Sequence, residues 1–230
     1  MASVQDIMTP QLFSLWPDDS AAEALDYLGM LNIHAAPVLD EETHEPLGVI
    51  SIGDLTGNLA TARVRDRMST PARVTIDTAA VRDAAQSMAE SGLHHLVVVD
   101  EHQRAVGFLS IVDVVQSLLH PSEGAEESPA AVKSALEWSD REKLTESGVL
   151  AAPDGPGVFV LLKVDPGKAE VFTWAEEAEN VRARLSAIAS DPPPRLARYI
   201  EADRIRFRAA AAETSTEREQ VLRSVVRRSC

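Results

Sequence analysis

Two short stretches of the chain share one pattern of apolar and polar positions. Residues 48–54 read GVISIGD, and residues 107–113 read GFLSIVD. In each stretch a short apolar run ends at a serine, and an aspartate follows three positions later. A hydroxyl directly after a buried strand, with an acid three positions on, is typical of a turn into a helix. The pattern therefore predicts the same strand and helix start at two places.

The similarity extends beyond these stretches and defines an internal repeat. VQDIMTP at 4–10 matches VRDRMST at 64–70, and LNIHAAPVLDE at 31–41 matches SGLHHLVVVDE at 91–101. The matched segments are 60, 60 and 59 residues apart. Because about 60 residues is marginal for an independent hydrophobic core, we expect the two repeats to pack as one domain.

The spacing of apolar positions predicts a β-α-β-β-α order in each repeat. Ser20 and Glu23 form an S-x-x-E capping box at the start of a helix. The elements expected in the first repeat are a strand at 12–16, a helix at 20–31, strands at 35–39 and 47–51, and a helix from about Gly53. The second repeat is expected to contain helices at 81–91 and after Asp113.

The pattern of apolar runs and turn residues in the last hundred residues predicts an order of helices and strands different from that of the repeats. DPGK is a turn signal between two apolar runs, which favours a hairpin, and DPPP should end a helix. The expected elements are a helix at 131–147, a hairpin of strands at 157–164 and 169–175, a helix at 176–189, a strand at RIRFRA (204–209), and a last helix capped by Thr216 and Glu219.

The distribution of charge changes near residue 130, where the repeats end and the last hundred residues begin. Residues 1–130 carry 6 arginines, no lysine and 20 acidic residues, a net charge of −14, whereas residues 131–230 carry 16 basic and 16 acidic residues. Such an acidic first part would repel duplex nucleic acid. HPSEGAEESPA has the composition of a linker. The expected domains are 1–121 (repeats 1–60 and 61–121), a linker at 122–130, and 131–230.

The expected fold class is therefore α/β (α+β), with tandem repeats forming a pseudo-twofold module and a small α+β C-terminal domain. The only cysteine is Cys230, so no disulfide can form within one chain. The first residues lack the basic and apolar regions of a signal peptide, and no apolar run is long enough to span a bilayer. We expect a cytoplasmic protein that does not associate with a membrane.

The repeats resemble a known family. The segment from DIMTP through SAAEALDYLGMLNIHAAPVLDEETHEPLGVISIGDL looks like a CBS domain, and 64–119 looks like a second one. The resemblance covers essentially all of residues 3–119. It implies a Bateman module, which commonly binds an adenosine-containing ligand between the repeats, forms dimers and regulates an attached or associated domain. AMP, ADP or ATP is the implied regulatory ligand, and the sequence requires no metal.

The chemistry of the repeated positions agrees with such a ligand. Asp54 and Asp113 can accept hydrogen bonds from adjacent ribose hydroxyls. The hydroxyls of Ser51 and Ser110, with the N–H groups of a helix start, can hold phosphate or ribose, and the preceding glycines would let backbone and ligand approach. The resemblance adds the first-strand hydroxyls of Ser14 and Thr75, and the backbone at Ala35, Ala36, His95 and Leu96 around the adenine.

Simpler interpretations remain open for these residues. Either aspartate is also a normal helix-capping residue, a role that contributes about 1 kcal/mol. Arg63, Arg65 and Arg67 are phosphate candidates, because alternating side chains of an extended segment share one face. They could equally be a solvated linker that balances nearby acids. The adjacent His94 and His95 would point to opposite faces of a strand, which argues against a shared metal.

Residues from about 150 to 228 resemble the GIY-YIG nuclease fold in their order of elements. PGVFVLL and VFTWAEEAENVRARL would stand for its motifs. Arg184 matches the catalytic arginine, and Glu219 could match the metal-binding glutamate. The tyrosine of the first motif falls on Phe159, and the tyrosine and glycine of the second fall on Trp174 and Glu176. The missing phenolic hydroxyls predict no nuclease activity.

The sequence thus predicts a regulatory protein and not an enzyme, in which the repeats sense an adenine nucleotide and signal to the C-terminal domain or to a protein partner. A nuclease gated by the repeats and a ligand-free assembly platform are the alternatives. We expect a homodimer formed through the repeat module.

Overall fold

The computed structural model describes residues 2–10, 12–31, 33–119, 136–166 and 171–226. The chain divides into two compact units, one of Met1–Val132 with Val226–Cys230 and one of Lys133–Val225. The predicted linker at 122–130 lies outside the described residues. The mixture of helices and strands confirms the α+β fold class.

The described residues of the first unit form two small sheets and four α-helices. Its elements are α1 (Val4–Ile7), α2 (Ala21–Leu31), β1 (Ala35–Leu39), β2 (Pro46–Ser51), β3 (Val74–Ile76), α3 (Val81–Ser91), β4 (His95–Val99), β5 (Ala105–Ser110) and α4 (Ile111–Leu119). Strands β1 and β2 pair antiparallel, and β4 lies between a parallel β3 and an antiparallel β5. The predicted first strand at 12–16 is reduced to isolated bridges, including a parallel bridge of Leu15 to Val38.

The two repeats exchange their N-terminal segments. Thr9 exchanges two backbone hydrogen bonds with Phe108, each 2.9 Å long. At the equivalent place Val49 exchanges two with Ser69, at 3.0 and 2.9 Å. Val4 belongs to the core of the second repeat, although it comes from the first. Each repeat is therefore completed by a segment of the other.

Two glycines make these crossings possible. A Cβ added at Gly48 would lie 2.6 Å from the carbonyl oxygen of Ser69 and 2.9 Å from Sδ of Met68. A Cβ at the equivalent Gly107 would lie 2.3 Å from Sδ of Met8. The prediction that these glycines make room for a ligand is wrong, because the crossing segment of the other repeat fills the space.

The first repeat lacks the helix predicted from Gly53. Only a 3-10 turn forms, over Ile52–Asp54, and Gly57 then adopts a left-handed backbone with φ of 78°. The second repeat forms α4 at the equivalent place. Glycines at 53 and 57 make a helix costly there, since each glycine in a helix interior costs about 1 kcal/mol relative to alanine.

The second unit is built on a four-stranded antiparallel sheet. Its elements are β6 (Glu142–Lys143), β7 (Gly157–Lys163), β8 (Val171–Ala178), α5 (Val181–Ser190), α6 (Pro194–Glu201), β9 (Ile205–Ala211) and α7 (Ser215–Val226), and the strand order is β6-β9-β7-β8. Val158 and Ala210 pack with Val221 of α7 on one face. Lys163, on the other face, lies 5.3 Å from the ring of Tyr199 in α6.

Several predicted elements of the second unit are wrong. The described part of the expected helix at 131–147, residues 136–147, contains no α-helix, and 131–135 lie outside the described residues. The helix expected at 176 begins at Val181, because β8 continues to Ala178. Helix α6 was missed because Pro194, which occupies its first turn, was interpreted only as a helix breaker. The last helix is capped by Thr214, whose hydroxyl accepts the Glu217 N–H at 3.1 Å.

The crossing glycines yield a stability prediction. Gly48→Ala should lower the free energy of unfolding by roughly 1–3 kcal/mol, because the new methyl meets a backbone oxygen. Gly107→Ala should cost less, since the thioether of Met8 can rotate away. Gly29→Ala is the matched control, because no atom lies within 4 Å of its added Cβ and alanine favours the helix. Urea denaturation of the three variants checks the order, and a Gly48→Ala variant as stable as Gly29→Ala would contradict it.

Candidate functional site

Each repeat ends its second long strand in the same hydrogen-bonded turn. In the first repeat, the backbone N–H and the hydroxyl of Ser51 donate to Oδ2 of Asp54 at 2.8 and 2.7 Å. In the second repeat, Ser110 makes the same two bonds to Oδ2 of Asp113 at the same lengths. Among the described residues, no donor reaches Oδ1 of either aspartate. That oxygen can accept hydrogen bonds from a ligand.

This turn alone does not define a binding site, because it occurs again elsewhere. Ser3 donates its N–H and hydroxyl to Asp6 at 2.8 and 2.7 Å at the start of α1. Asp6 is exposed, whereas Asp54 and Asp113 are half-buried. The capping role expected of both aspartates is therefore present, and burial is what distinguishes the two candidate sites from a plain cap.

The pKa of the aspartate shifts in opposite directions in two of these turns. Burial raises the pKa of Asp113 above its usual value, although the hydrogen bonds from Ser110 oppose the shift. The hydrogen bonds from Ser3 lower the pKa of the exposed Asp6. A half-buried carboxylate such as Asp113 gains more from a further hydrogen-bond donor, because water solvates it less.

Strand pairing places the next candidate residues beside the serines. Ala35 is the cross-strand partner of Ser51, and His95 is the partner of Ser110. The residue before each of them was not among the candidates, although His34 and His94 repeat at an offset of 60. The backbone oxygens of these histidines accept the N–H groups of Ile52 and Ile111, both at 2.9 Å, and so hold each turn against the neighbouring strand.

Ala36 and Leu96 contribute differently from the residues beside them. Both side chains are fully buried. Because side chains alternate along a strand, they face away from the serine side of the sheet, where Ala35 and His95 lie. Only the backbone of Ala36 and Leu96 is therefore close to either candidate site.

The two first-strand hydroxyls are not equivalent in the fold. Thr75 pairs in parallel with Val98, whereas the equivalent partner, Val38, pairs with Leu15 and not with Ser14. Ser14 is fully buried, and Thr75 is half-buried. A shift by one residue places a side chain on the opposite face of a strand. The structure therefore does not bring Ser14 and Thr75 to matching places.

The three arginines are not aligned on an extended strand. Val64–Asp66 forms a 3-10 turn, so the premise that the arginines share one face is wrong. Arg63 donates to the backbone oxygen of Asp18 at 3.0 Å, and Arg65 forms an ion pair with its carboxylate at 2.7 Å. Arg67 donates to the backbone oxygen of Asn58 at 3.2 Å. Of these three contacts only that of Arg65 is with a carboxylate, so the alternative that the arginines balance local acids is supported for Arg65 alone.

Among the candidate residues, His95 has the largest shift of its pKa from the usual value. Burial lowers its pKa to about 4, and the neighbouring His94 and His34 contribute in the same direction. The imidazole is therefore neutral at pH 7. No group of three or more His, Cys, Asp or Glu side chains in the described ranges could hold a metal ion, and none of the described helices has the length and apolar character needed to cross a bilayer.

Comparison with known proteins assigns the first unit to a family. The model for the CBS domain matches residues 4–61 and 64–120, and the chain therefore belongs to the CBS domain family. The matched ranges confirm the pair of CBS repeats.

Individual proteins similar to this chain match about half of it. An uncharacterized protein of Methanocaldococcus jannaschii is 26% identical over 116 residues, which are 50% of this chain and 43% of that protein. The chain thus spans less than half the length of this curated relative. The crystal structure of the CBS-pair protein CBSX2 from Arabidopsis thaliana is 27% identical, covering 54% of this chain and 98% of that chain with a TM-score of 0.49. CBSX2 in complex with AMP is 29% identical, covering 53% and 98% with a TM-score of 0.48.

The low pKa of His95 predicts a dependence of stability on acid. In the unfolded chain the imidazole takes up a proton near pH 6.5, whereas in the folded protein it does so only near pH 4. Its stabilising contribution is thus complete above pH 6.5 and is lost as the pH falls toward 4. Wild type should lose roughly 2 kcal/mol more unfolding free energy than His95→Phe between pH 7 and pH 5. Urea titrations at both pH values test this, and parallel losses in the two proteins would contradict it.

Proposed function

We propose that this protein is a regulatory sensor whose CBS pair binds an adenosine-containing ligand such as AMP, ADP or ATP. The observation that carries the proposal is the pair of half-buried aspartates, Asp54 and Asp113, each with one oxygen tied to a serine and the other turned to no described donor. A carboxylate held in this way can accept hydrogen bonds from ribose hydroxyls without rearranging. Membership of the CBS family supports adenosine as the ligand.

The resident residues fit a nucleotide in chemistry and placement. The carboxylates would hold the ribose. The N–H and hydroxyl of Ser51 and Ser110 already donate to these carboxylates, and the next N–H groups, of Ile52 and Ile111, donate to the backbone oxygens of His34 and His94. The proposed role of the two serines is therefore to orient the aspartates toward the nucleotide. The backbone at Ala36 and Leu96 lies one residue from the cross-strand partners of those serines. Thr75 remains a proposed contact, whereas burial makes Ser14 a weaker one.

For the second unit we propose a role in signalling, directly or through a protein partner, and not nuclease activity. Phe159, at the position of the nuclease tyrosine, is fully buried. The guanidinium of Arg184 is held by Glu176 at 2.7 Å, and this hydrogen bond raises its pKa. Glu176, the cross-strand partner of Phe159, lies on the same face of the sheet as Arg184 of α5. Glu219 is exposed on α7, which packs on the opposite face through Val221. The sheet thus separates the arginine and the glutamate that a GIY-YIG nuclease would use together, even if the fold is of that type.

The ribose contacts are tested by three matched alanine variants. Asp54→Ala or Asp113→Ala should weaken the binding of AMP to the altered site by roughly 1.5–3 kcal/mol, the range for a hydrogen bond to a charged group. Asp6→Ala is the control, because it removes the same serine–aspartate turn from an exposed place. It should cost about 1 kcal/mol of stability and leave affinity unchanged. Isothermal titration of the full chain measures the effect.

Equal affinities in all four proteins would show that the aspartates act only as caps. Wild type that binds none of AMP, ADP and ATP would instead favour the alternative of a ligand-free assembly platform.

We also propose that a second copy of the chain covers α4. Val112, Val115 and Leu119 follow the spacing of one helix face, and they are 51%, 45% and 70% exposed. An apolar stripe of this kind, on a helix of two turns or more, can pack against its own symmetry mate. The first repeat offers no matching helix face, because it forms only a 3-10 turn at the equivalent place.

Dimerisation is tested by a charge placed in the stripe. Val115→Glu should convert a dimer into a monomer at micromolar concentration, because a carboxylate would be buried without a partner. Gln116→Glu, which adds the same charge beside the stripe, should leave the dimer intact. Sedimentation velocity distinguishes these states, and a monomeric wild type or a dimeric Val115→Glu variant would refute the proposed surface.

A further inference from the structure

The two candidate sites differ at two positions on the face of the sheet that carries the serines. Ala35 and His95 occupy equivalent places, since each is the cross-strand partner of the serine that binds the aspartate. Two residues before each serine the difference recurs, with Val49 in the first repeat and Phe108 in the second. The second site therefore carries two aromatic rings where the first carries small aliphatic groups.

The two rings form one stacked unit. The imidazole of His95 and the ring of Phe108 have centroids 5.2 Å apart and planes 8° from parallel. His95, Phe108 and Ser110 share one face of the sheet, because Ser110 is the partner of His95 and Phe108 lies two residues before it. The stack thus lies directly beside the serine–aspartate turn.

Phe108 fixes the position of the imidazole. The residue is 2% exposed, its backbone N–H and C=O both bond to Thr9, and it lies opposite Val97 of β4. One face of the imidazole is covered by this ring, while the residue as a whole is only half-buried. The residue therefore keeps some exposed surface, and the orientation of its ring is set by Phe108 before any ligand binds.

The protonation state suits an aromatic ligand. Burial and the neighbouring His94 and His34 keep the pKa of His95 at about 4, so the ring is neutral at pH 7. A neutral imidazole is a flat aromatic surface with one donor and one acceptor nitrogen, and purine bases stack on such surfaces whatever their substituents.

We propose that His95 makes the site of the second repeat the tighter purine site, by stacking the base of the bound nucleotide on the part of its ring that Phe108 leaves open. The site of the first repeat, which has Ala35 at this place, binds purine nucleotides more weakly. This inference rests on the proposed function, to which it adds the residue that makes the two sites unequal.

Isothermal titration of the full chain with AMP, ATP and ribose 5-phosphate tests the inference. His95→Ala should weaken the tighter site for AMP and ATP about tenfold, within the range for stacking of a base on an aromatic side chain, and should leave ribose 5-phosphate unaffected. His95→Phe should restore most of the affinity, because it keeps a flat ring. Ala35→His should tighten the weaker site.

The possible failures are distinguishable. If wild type binds neither AMP nor ATP, the proposed function fails and this inference fails with it. If wild type binds them and His95→Ala binds equally well or better, the ring is not a stacking surface and only this inference is overturned. If His95→Ala weakens ribose 5-phosphate as much as AMP, the variant has disturbed the serine–aspartate turn, and the stacking role is likewise refuted.

Discussion

The reciprocal exchange of N-terminal segments between the two repeats is the constraint on which the first unit depends. Thr9 pairs with Phe108 and Val49 with Ser69, so neither repeat closes its sheet or its core without the other. The crossing leaves no room for a methyl group at Gly48, where it would meet a backbone oxygen, whereas at Gly107 it would displace only the side chain of Met8. The same exchange reaches the candidate sites, since Phe108 is held by the first repeat while it supports His95 in the second. The candidate site of the second repeat therefore includes contacts from both repeats.

The repeat was predictable because its signals are local and duplicated. The strands at 35–39 and near 47–51, the helix near 20–31 and the hairpin of the second unit follow from alternation and turn residues. Elements whose formation depends on both local preferences and contacts with distant residues were not predictable in this way. Gly53 and Gly57 suppress a helix that the repeat pattern implies, and Pro194 begins a helix in a segment that looks like a stop. Pairing with β7 also extends β8 through residues whose own preference is helical, so α5 starts later than predicted.

The candidate site was predictable in part for a similar reason. The serine–aspartate turns depend on residues three apart, and the structure contains both of them as expected. The sequence did not predict the positions of side chains that depend on strand register or on distant partners. Ser14 lies one residue away from the place that matches Thr75, and Arg65 binds Asp18 from a turn and not from a strand. The glycines before the serines accommodate the partner repeat, which no local pattern reveals.

The central claim, that the CBS pair binds an adenosine-containing ligand, is tested most directly by the stability of the full chain in the presence of such ligands. Thermal unfolding would be followed with AMP, ADP, ATP, S-adenosylmethionine and NAD, each at a saturating concentration. A ligand present at 100 times its dissociation constant should raise the free energy of unfolding by about 2.7 kcal/mol. A concentration-dependent shift with at least one of them is the predicted result, and an unchanged unfolding temperature with all five would contradict the account.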